Sequence, residues 1–162
     1  MPSKHNIDVS IIIPVYNEEE NLEILYSEIQ EAVKRSALTY EVIFINDGSQ
    51  DGSERIIKNL ARHYLEVKGI HFKKNCGQTA AFDAGFKRAR GKIIVTMDSD
   101  LQNDPKDIPI LLAHLNDCDA VIGWRDRRRD HVVKRVSSKI ANWVRNKLSG
   151  DSIIDTGCSL KA

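Results

Sequence analysis

Short apolar runs rich in β-branched residues alternate along this chain with stretches whose apolar residues recur every three or four positions. That alternation restricts it to an α/β fold with a mostly parallel central sheet. Strands are expected at Val9 to Val15, Glu41 to Asn46, Ile70 to Phe72, Lys92 to Met97 and Ala120 to Gly123. Between the first two, Leu22, Leu25, Ile29 and Val33 share one helical face, and Asn17 with Glu20 has the spacing of a capping box at its start. A second helix is expected after Ser49, with Ile56, Ile57, Leu60 and Tyr64 inward. A third, Thr79 to Ala89, carries Ala80, Ala81, Ala84 and Gly85, small enough to sit close to the sheet or to a ligand. Asp104 as N-cap and Pro105 at the first helical position open a fourth, with Ile108, Leu111, Leu112 and Leu115 as its buried stripe. Ser137 to Leu148 reads as a fifth, ended by Gly150.

At 162 residues and 41% hydrophobic content the chain can bury one substantial core, so residues 1–162 are read as a single domain. A net charge of +1 gives no global attraction for nucleic acid, and any electrostatic recognition must come from a local cluster. The three cysteines, Cys76, Cys118 and Cys158, have neither pair spacing nor the histidine partners of a zinc site, which fits a reducing cytoplasm. No apolar run approaches the roughly 20 residues that span a bilayer, and Met1 to Asp8 is too polar for a signal peptide.

The chemistry gathers at strand ends. Residues 93–100, Ile-Ile-Val-Thr-Met-Asp-Ser-Asp, are an apolar strand closed by two carboxylates one residue apart. Alternate residues of an extended chain point the same way, so Asp98 and Asp100 can face one cation. Two hard oxygen ligands that leave most of the coordination sphere open suit Mg²⁺ or Mn²⁺ held jointly with a diphosphate. Taken alone, Asp-Ser-Asp reads as a polar turn after a buried strand, and it is the context that favours a metal site. Strand one ends in Pro14-Val15-Tyr16-Asn17-Glu18 and strand two in Asn46-Asp47-Gly48-Ser49, so three strand ends bear carboxylates. Each has a plainer reading as a turn, a cap or a helix N-terminal acid. Together Tyr16, Asp47 and the acidic pair offer a surface for a base, a polar group for base or ribose, and a cation site for phosphate. Neither Gly-x-Gly-x-x-Gly nor Gly-x-x-x-x-Gly-Lys-Ser/Thr is present, which removes support for dinucleotide oxidoreductases and P-loop kinases.

Residues 125–135 hold six basic residues against two acidic ones, a local balance of +4. The run is either a solvated face or, since it follows an expected strand end, a source of arginines for phosphate or for anionic lipid headgroups. The helix after it, with Ile140, Trp143, Val144 and Leu148, is amphipathic and packs on the sheet or faces a membrane. The five histidines have no metal-ligand or triad spacing.

The ordered motifs Ser10-Ile-Ile-Ile-Pro-Val-Tyr-Asn-Glu18, Asn46-Asp-Gly-Ser-Gln-Asp-Gly52, Asn75-Cys-Gly-Gln-Thr-Ala-Ala81 and Met97-Asp-Ser-Asp-Leu-Gln-Asn-Asp-Pro105 resemble glycosyltransferase family 2 with the GT-A fold. Gly123-Trp-Arg125, Ser138-Lys-Ile-Ala-Asn-Trp143 and Asp155-Thr-Gly-Cys-Ser-Leu-Lys161 are similar to the branch that transfers a sugar to a polyprenyl phosphate, as in dolichol-phosphate mannosyltransferase. The resemblance implies a Rossmann-like GT-A sandwich. It places Pro14, Tyr16, Glu18 and Asp47 around the nucleoside of a UDP- or GDP-sugar, and Asp98, Asp100 and Gln102 around metal and diphosphate. Arg125 and Arg135 match basic positions that meet donor or acceptor phosphate, and Asp155 matches an acidic position near the reacting centre. Members of this branch usually continue past the position of Ala162 into a juxtamembrane helix, often with transmembrane helices, so a form truncated there is expected. Cys76 stands where family members often have an aromatic residue.

The expected activity is an inverting, metal-dependent transfer from a nucleotide-sugar to a polyprenyl phosphate at the cytoplasmic membrane face, with catalytic roles for Asp155, Arg125 and Asp100. No nucleic-acid partner is expected, and the segment 125–135 or a C-terminal continuation would make a peripheral membrane contact. The alternatives are transfer to a sugar hydroxyl, where a carboxylate must take the proton, and a nucleotide-sugar-binding domain without turnover. A receiver-like regulator is disfavoured because paired acids after the first strand are missing.

Overall fold

The computed structural model describes residues 7–34, 36, 38–116, 118–123 and 158–162. Four parallel strands, β1 (Val9–Val15), β2 (Tyr40–Asn46), β3 (Val67–His71) and β4 (Ile93–Thr96), lie in the order β3-β2-β1-β4. Helices α1 (Leu22–Lys34), α2 (Ser53–His63) and α3 (Gln78–Arg88) connect them. A 3-10 turn at Pro105–Asp107 then leads into α4 (Ile108–His114).

β1 is buried at all seven positions, as a strand covered by helices on both faces must be. Its alternate residues serve two cores. Val9, Ile11, Ile13 and Val15 join Val42 and Phe44 of β2 beneath α1 and α2, while Ile12 joins Ile43 and Ile45 beneath Ala81 of α3. α3 approaches closely because Gly85 faces the sheet, where a Cβ would stand 2.3 Å from Ile12 Cγ2.

At the amino ends of the strands a polar network crosses the whole sheet. Glu41 of β2, only 1% exposed, accepts from Ser10 Oγ of β1 at 2.7 Å and from the Arg90 backbone N–H ahead of β4 at 2.7 Å, and it pairs with Lys68 of β3. Ser10 Oγ in turn accepts from Gly91 N–H at 2.8 Å. Burial pushes the Glu41 carboxyl up, but Lys68, Ser10 and the Arg90 N–H outweigh it and hold it below the usual carboxylate range.

Several expectations need correction. β3 lies at Val67–His71 rather than at Ile70 to Phe72. Tyr64 is not inward: it is 36% exposed, just past α2, with its ring 4.6 Å from that of Tyr26. The capping box is absent, because α1 starts at Leu22 and the Asn17 side chain bonds across to Gln50 N–H at 2.8 Å. Asp104 caps the 3-10 turn through Lys106 N–H rather than α4 directly. Residues 120–123 form no full strand. Val121 and Gly123 instead pair antiparallel with Ala162 and Leu160, and Lys161 bonds Thr96 of β4 in both directions. Cys158 is buried, as a packed thiol should be. The expected fifth helix and the basic segment 125–135 lie outside the described residues.

Replacing Lys68 by Met is expected to lower stability by about 3 kcal/mol, the low end for a broken buried pair, because Arg90 Nε remains 3.8 Å away. Glu41 has a depressed pKa, so its contribution is present above the unfolded carboxylate pKa and is lost as pH falls through the folded value. The difference between parent and variant should therefore shrink in acid, as measured by urea denaturation at pH 7 and pH 4.

Candidate functional site

In the order β3-β2-β1-β4 the winding direction reverses between β1 and β4, and a crevice opens beyond the carboxyl ends of those two strands. It encloses about 390 Å³. Six of the residues expected from the sequence line it: Pro14, Tyr16, Glu18, Asp47, Asp98 and Asp100. Gln102 is not a lining residue; its backbone N–H donates to Asp100 Oδ1 at 3.1 Å. That contact folds the chain back through Leu101 at φ 59°, a left-handed conformation that costs a leucine about 1 kcal/mol or more. Arg125, Arg135 and Asp155 lie outside the described residues.

Beside the crevice, the loops after β1 and β2 are clasped together. Asn17 N–H donates to Ser49 Oγ and Glu18 N–H to Ser53 Oγ, each at 3.0 Å. Glu19 N–H donates to Asp51 Oδ2 at 3.0 Å, and Gly52 N–H returns to Glu19 Oε2 at 2.7 Å. Asn17, at φ 57°, makes the turn that asparagine tolerates better than most residues. Tyr16 is left 44% exposed at the mouth.

Asp47 has a second task that its place in the sequence did not reveal. Only 4% exposed, it accepts from Cys76 N–H through Oδ1 at 2.7 Å and from Gly77 N–H through Oδ2 at 2.9 Å. These bonds hold the loop after β3 against the loop after β2. The contact is backbone to backbone, since a Cβ on Gly48 would fall 2.4 Å from the Lys74 carbonyl carbon. Asn75, Gly77 and Gln78 are thereby brought to the crevice wall. Sequence reasoning assigned none of them a role, although all three stand in the motif Asn75 to Ala81. Gln78 Nε2 donates to Asp98 Oδ1 at 2.8 Å, and Gly77, at φ 91°, turns the chain into α3.

Among the described residues no group of three or more His, Cys, Asp or Glu could hold a metal ion. The acidic pair Asp98 and Asp100 lies on the crevice wall, each met by one hydrogen bond from the described residues. Such a pair fits a hard divalent cation that takes its remaining oxygens from phosphate and water. No Lys or Arg among the described residues lines the crevice. The arrangement is that of an α/β protein with an acidic crevice at the switch point of its sheet.

Comparison with known proteins extends that class to a family. Residues 10–157 match the model of glycosyl transferase family 2, and the chain belongs to that family. It is 36% identical over 160 residues to a dodecaprenyl-phosphate galacturonate synthase of Rhizobium johnstonii, covering 96% of this chain and 47% of that protein. It is 41% identical over 165 residues to an undecaprenyl-phosphate 4-deoxy-4-formamido-L-arabinose transferase of Shewanella sediminis, covering 100% of this chain and 50% of that protein. The chain spans about half the length of the curated relatives it matches. Among solved structures, glucosyl-3-phosphoglycerate synthase from Mycobacterium tuberculosis with Mn²⁺, UDP and glucosyl-3-phosphoglycerate superposes with a TM-score of 0.71 at 21% identity, over 98% of this chain and 57% of that one. A mannosyltransferase from Pyrobaculum calidifontis with GDP-Man and Mn²⁺ gives 0.57 at 22% identity, over 78% and 38%. These likenesses show the fold, which is GT-A.

Asp47→Asn should leave one of the two loop N–H groups without an acceptor, at a cost of about 1–3 kcal/mol. Amide hydrogen exchange is expected to accelerate at Cys76 and Gly77 ahead of the rest of the sheet. Unchanged protection there would contradict the clasp.

Proposed function

We propose that residues 1–162 form the donor-binding domain of an inverting, metal-dependent glycosyltransferase that moves a sugar from a UDP- or GDP-sugar to a polyprenyl phosphate. The observation that carries the reading is the crevice itself, which Asp98 and Asp100 line together with Tyr16, Glu18 and Asp47 at the β1/β4 switch point. The named activities of the relatives support the acceptor.

Pro14 and Tyr16 give the nucleoside an apolar and aromatic surface, and Glu18 and Asp47 offer acceptors for its polar hydrogens. Asp98 and Asp100 would hold Mg²⁺ or Mn²⁺, which when bound supplies charge neutralisation to the departing nucleoside diphosphate. Gln102 contributes through its backbone, by setting the Asp100 carboxylate. Arg125 and Arg135 add fixed positive charge for donor and acceptor phosphates. The acceptor phosphate oxygen is already anionic, attacks the anomeric carbon as the bond to the diphosphate breaks, and needs no strong base. Asp155 then positions that oxygen rather than deprotonating it.

A polyprenyl acceptor places the reaction at the cytoplasmic face of the membrane, with the basic run 125–135 against anionic headgroups. Among the described residues no helix is long and apolar enough to cross a membrane.

Calorimetry with UDP and GDP, in Mn²⁺ and then in chelator, is expected to show binding of one nucleotide that Mn²⁺ strengthens, and in Asp98→Ala/Asp100→Ala that strengthening is expected to disappear. A folded protein that binds neither would sink the proposal. Asp155→Asn should keep turnover on a polyprenyl phosphate within about tenfold of the parent; a loss of about 10² or more would mark a general base.

A further inference from the structure

Gln78 opens α3, and its side chain ties that helix to the acidic pair through Nε2 and Asp98 Oδ1. The donor is held from behind by the sheet. Asp47 fixes the N–H groups of the two preceding residues, and α3 is seated on β1 and β2 through Ala81 and Gly85. Both Gln78 and Asp98 line the crevice.

We propose that Gln78 is a positioning residue for the cation site. By holding Oδ1 of Asp98 it fixes the carboxylate rotamer, so that the remaining oxygen is presented beside Asp100 to a divalent cation shared with the donor diphosphate. This rests on the donor-site reading above. A carboxylate free to rotate loses that freedom when it binds a metal, whereas one already held does not. Hydrogen-bond partners of ligating groups are typically worth 10- to 100-fold in metal affinity for this reason. The same bond makes the cation site depend on Asp47, because the loop that Asp47 clamps delivers Gln78.

The test compares the parent with Gln78→Ala, Gln78→Met and Asp98→Ala; the methionine keeps the side-chain length and loses the donor. The free-Mn²⁺ EPR signal in the presence of UDP, and separately of GDP, gives the metal affinity. Calorimetry in chelator gives nucleotide affinity without metal. Both Gln78 variants are expected to bind Mn²⁺ about 10- to 100-fold more weakly, with unchanged nucleotide affinity in chelator and an unchanged thermal midpoint. In an Asp98→Ala background the Gln78 changes should add no further loss. If the Gln78 variants hold Mn²⁺ as tightly as the parent while Asp98→Ala loses it, the positioning role is overturned and the donor site stands. An equal loss with and without metal would place Gln78 on the nucleotide and also overturn it. A parent that takes up no Mn²⁺, or an Asp98→Ala variant that keeps it, overturns both readings.

Discussion

β1 is hydrogen-bonded to β2 on one side and to β4 on the other, and it is buried on both faces from Val9 to Val15. Its fully buried Ile11, Ile12 and Ile13 each contribute about 1.5–3 kcal/mol by leaving water. Such a strand cannot expose a polar group along its length, so chemistry is displaced to its ends. At the carboxyl end the chain leaves toward α1, while β4, on the opposite side from β2, leaves toward the 3-10 turn. The divergence of those two exits creates the crevice, and it follows from strand order alone.

The sheet holds carboxylates at both ends, and the donors around each one indicate its work. Glu41 accepts from Ser10, the Arg90 N–H and Lys68, and is saturated by the fold. Asp47, met by two backbone N–H groups, is intermediate: it builds the wall and still lines the cavity. Among the described residues Asp98 and Asp100 each receive one hydrogen bond, which leaves lone pairs on each carboxylate. A buried carboxylate left in that state would be costly, so these two stand only partly covered.

Much of the fold was legible because β1, β2 and β4 are apolar runs that no amphipathic helix would carry. β3 was misplaced because Val-Lys-Gly-Ile-His has a lysine and a glycine inside it, the signature of a half-covered strand at the end of the β3-β2-β1-β4 order rather than of a core one. The acidic residues of the site were legible once the strands were, since ligands gather at carboxyl ends near a switch point. Gln78 was not legible in that way. Its position depends on a carboxylate 30 residues before Gly77, and no periodicity or charge pattern reports a loop folded by so remote an acceptor. Asn17 misled for a related reason: its spacing to Glu20 fits a cap, yet the tertiary bond to Gln50 wins.

The electrostatics of the crevice bear on the order of events. Glu18, Asp47, Asp98 and Asp100 line it, and no described Lys or Arg accompanies them. A diphosphate entering alone meets like charge, at a cost of about 4 kcal/mol per pair at 4 Å in a medium of effective dielectric near 20. Two N–H groups already offset Asp47, which leaves the Asp98/Asp100 pair as the main barrier to an anion. One divalent charge placed between that pair and the diphosphate turns repulsion into attraction on both sides. On the proposed reading the donor and its cation therefore enter together, and the surplus positive charge of residues 125–135 adds to that cation in meeting the phosphates of donor and acceptor.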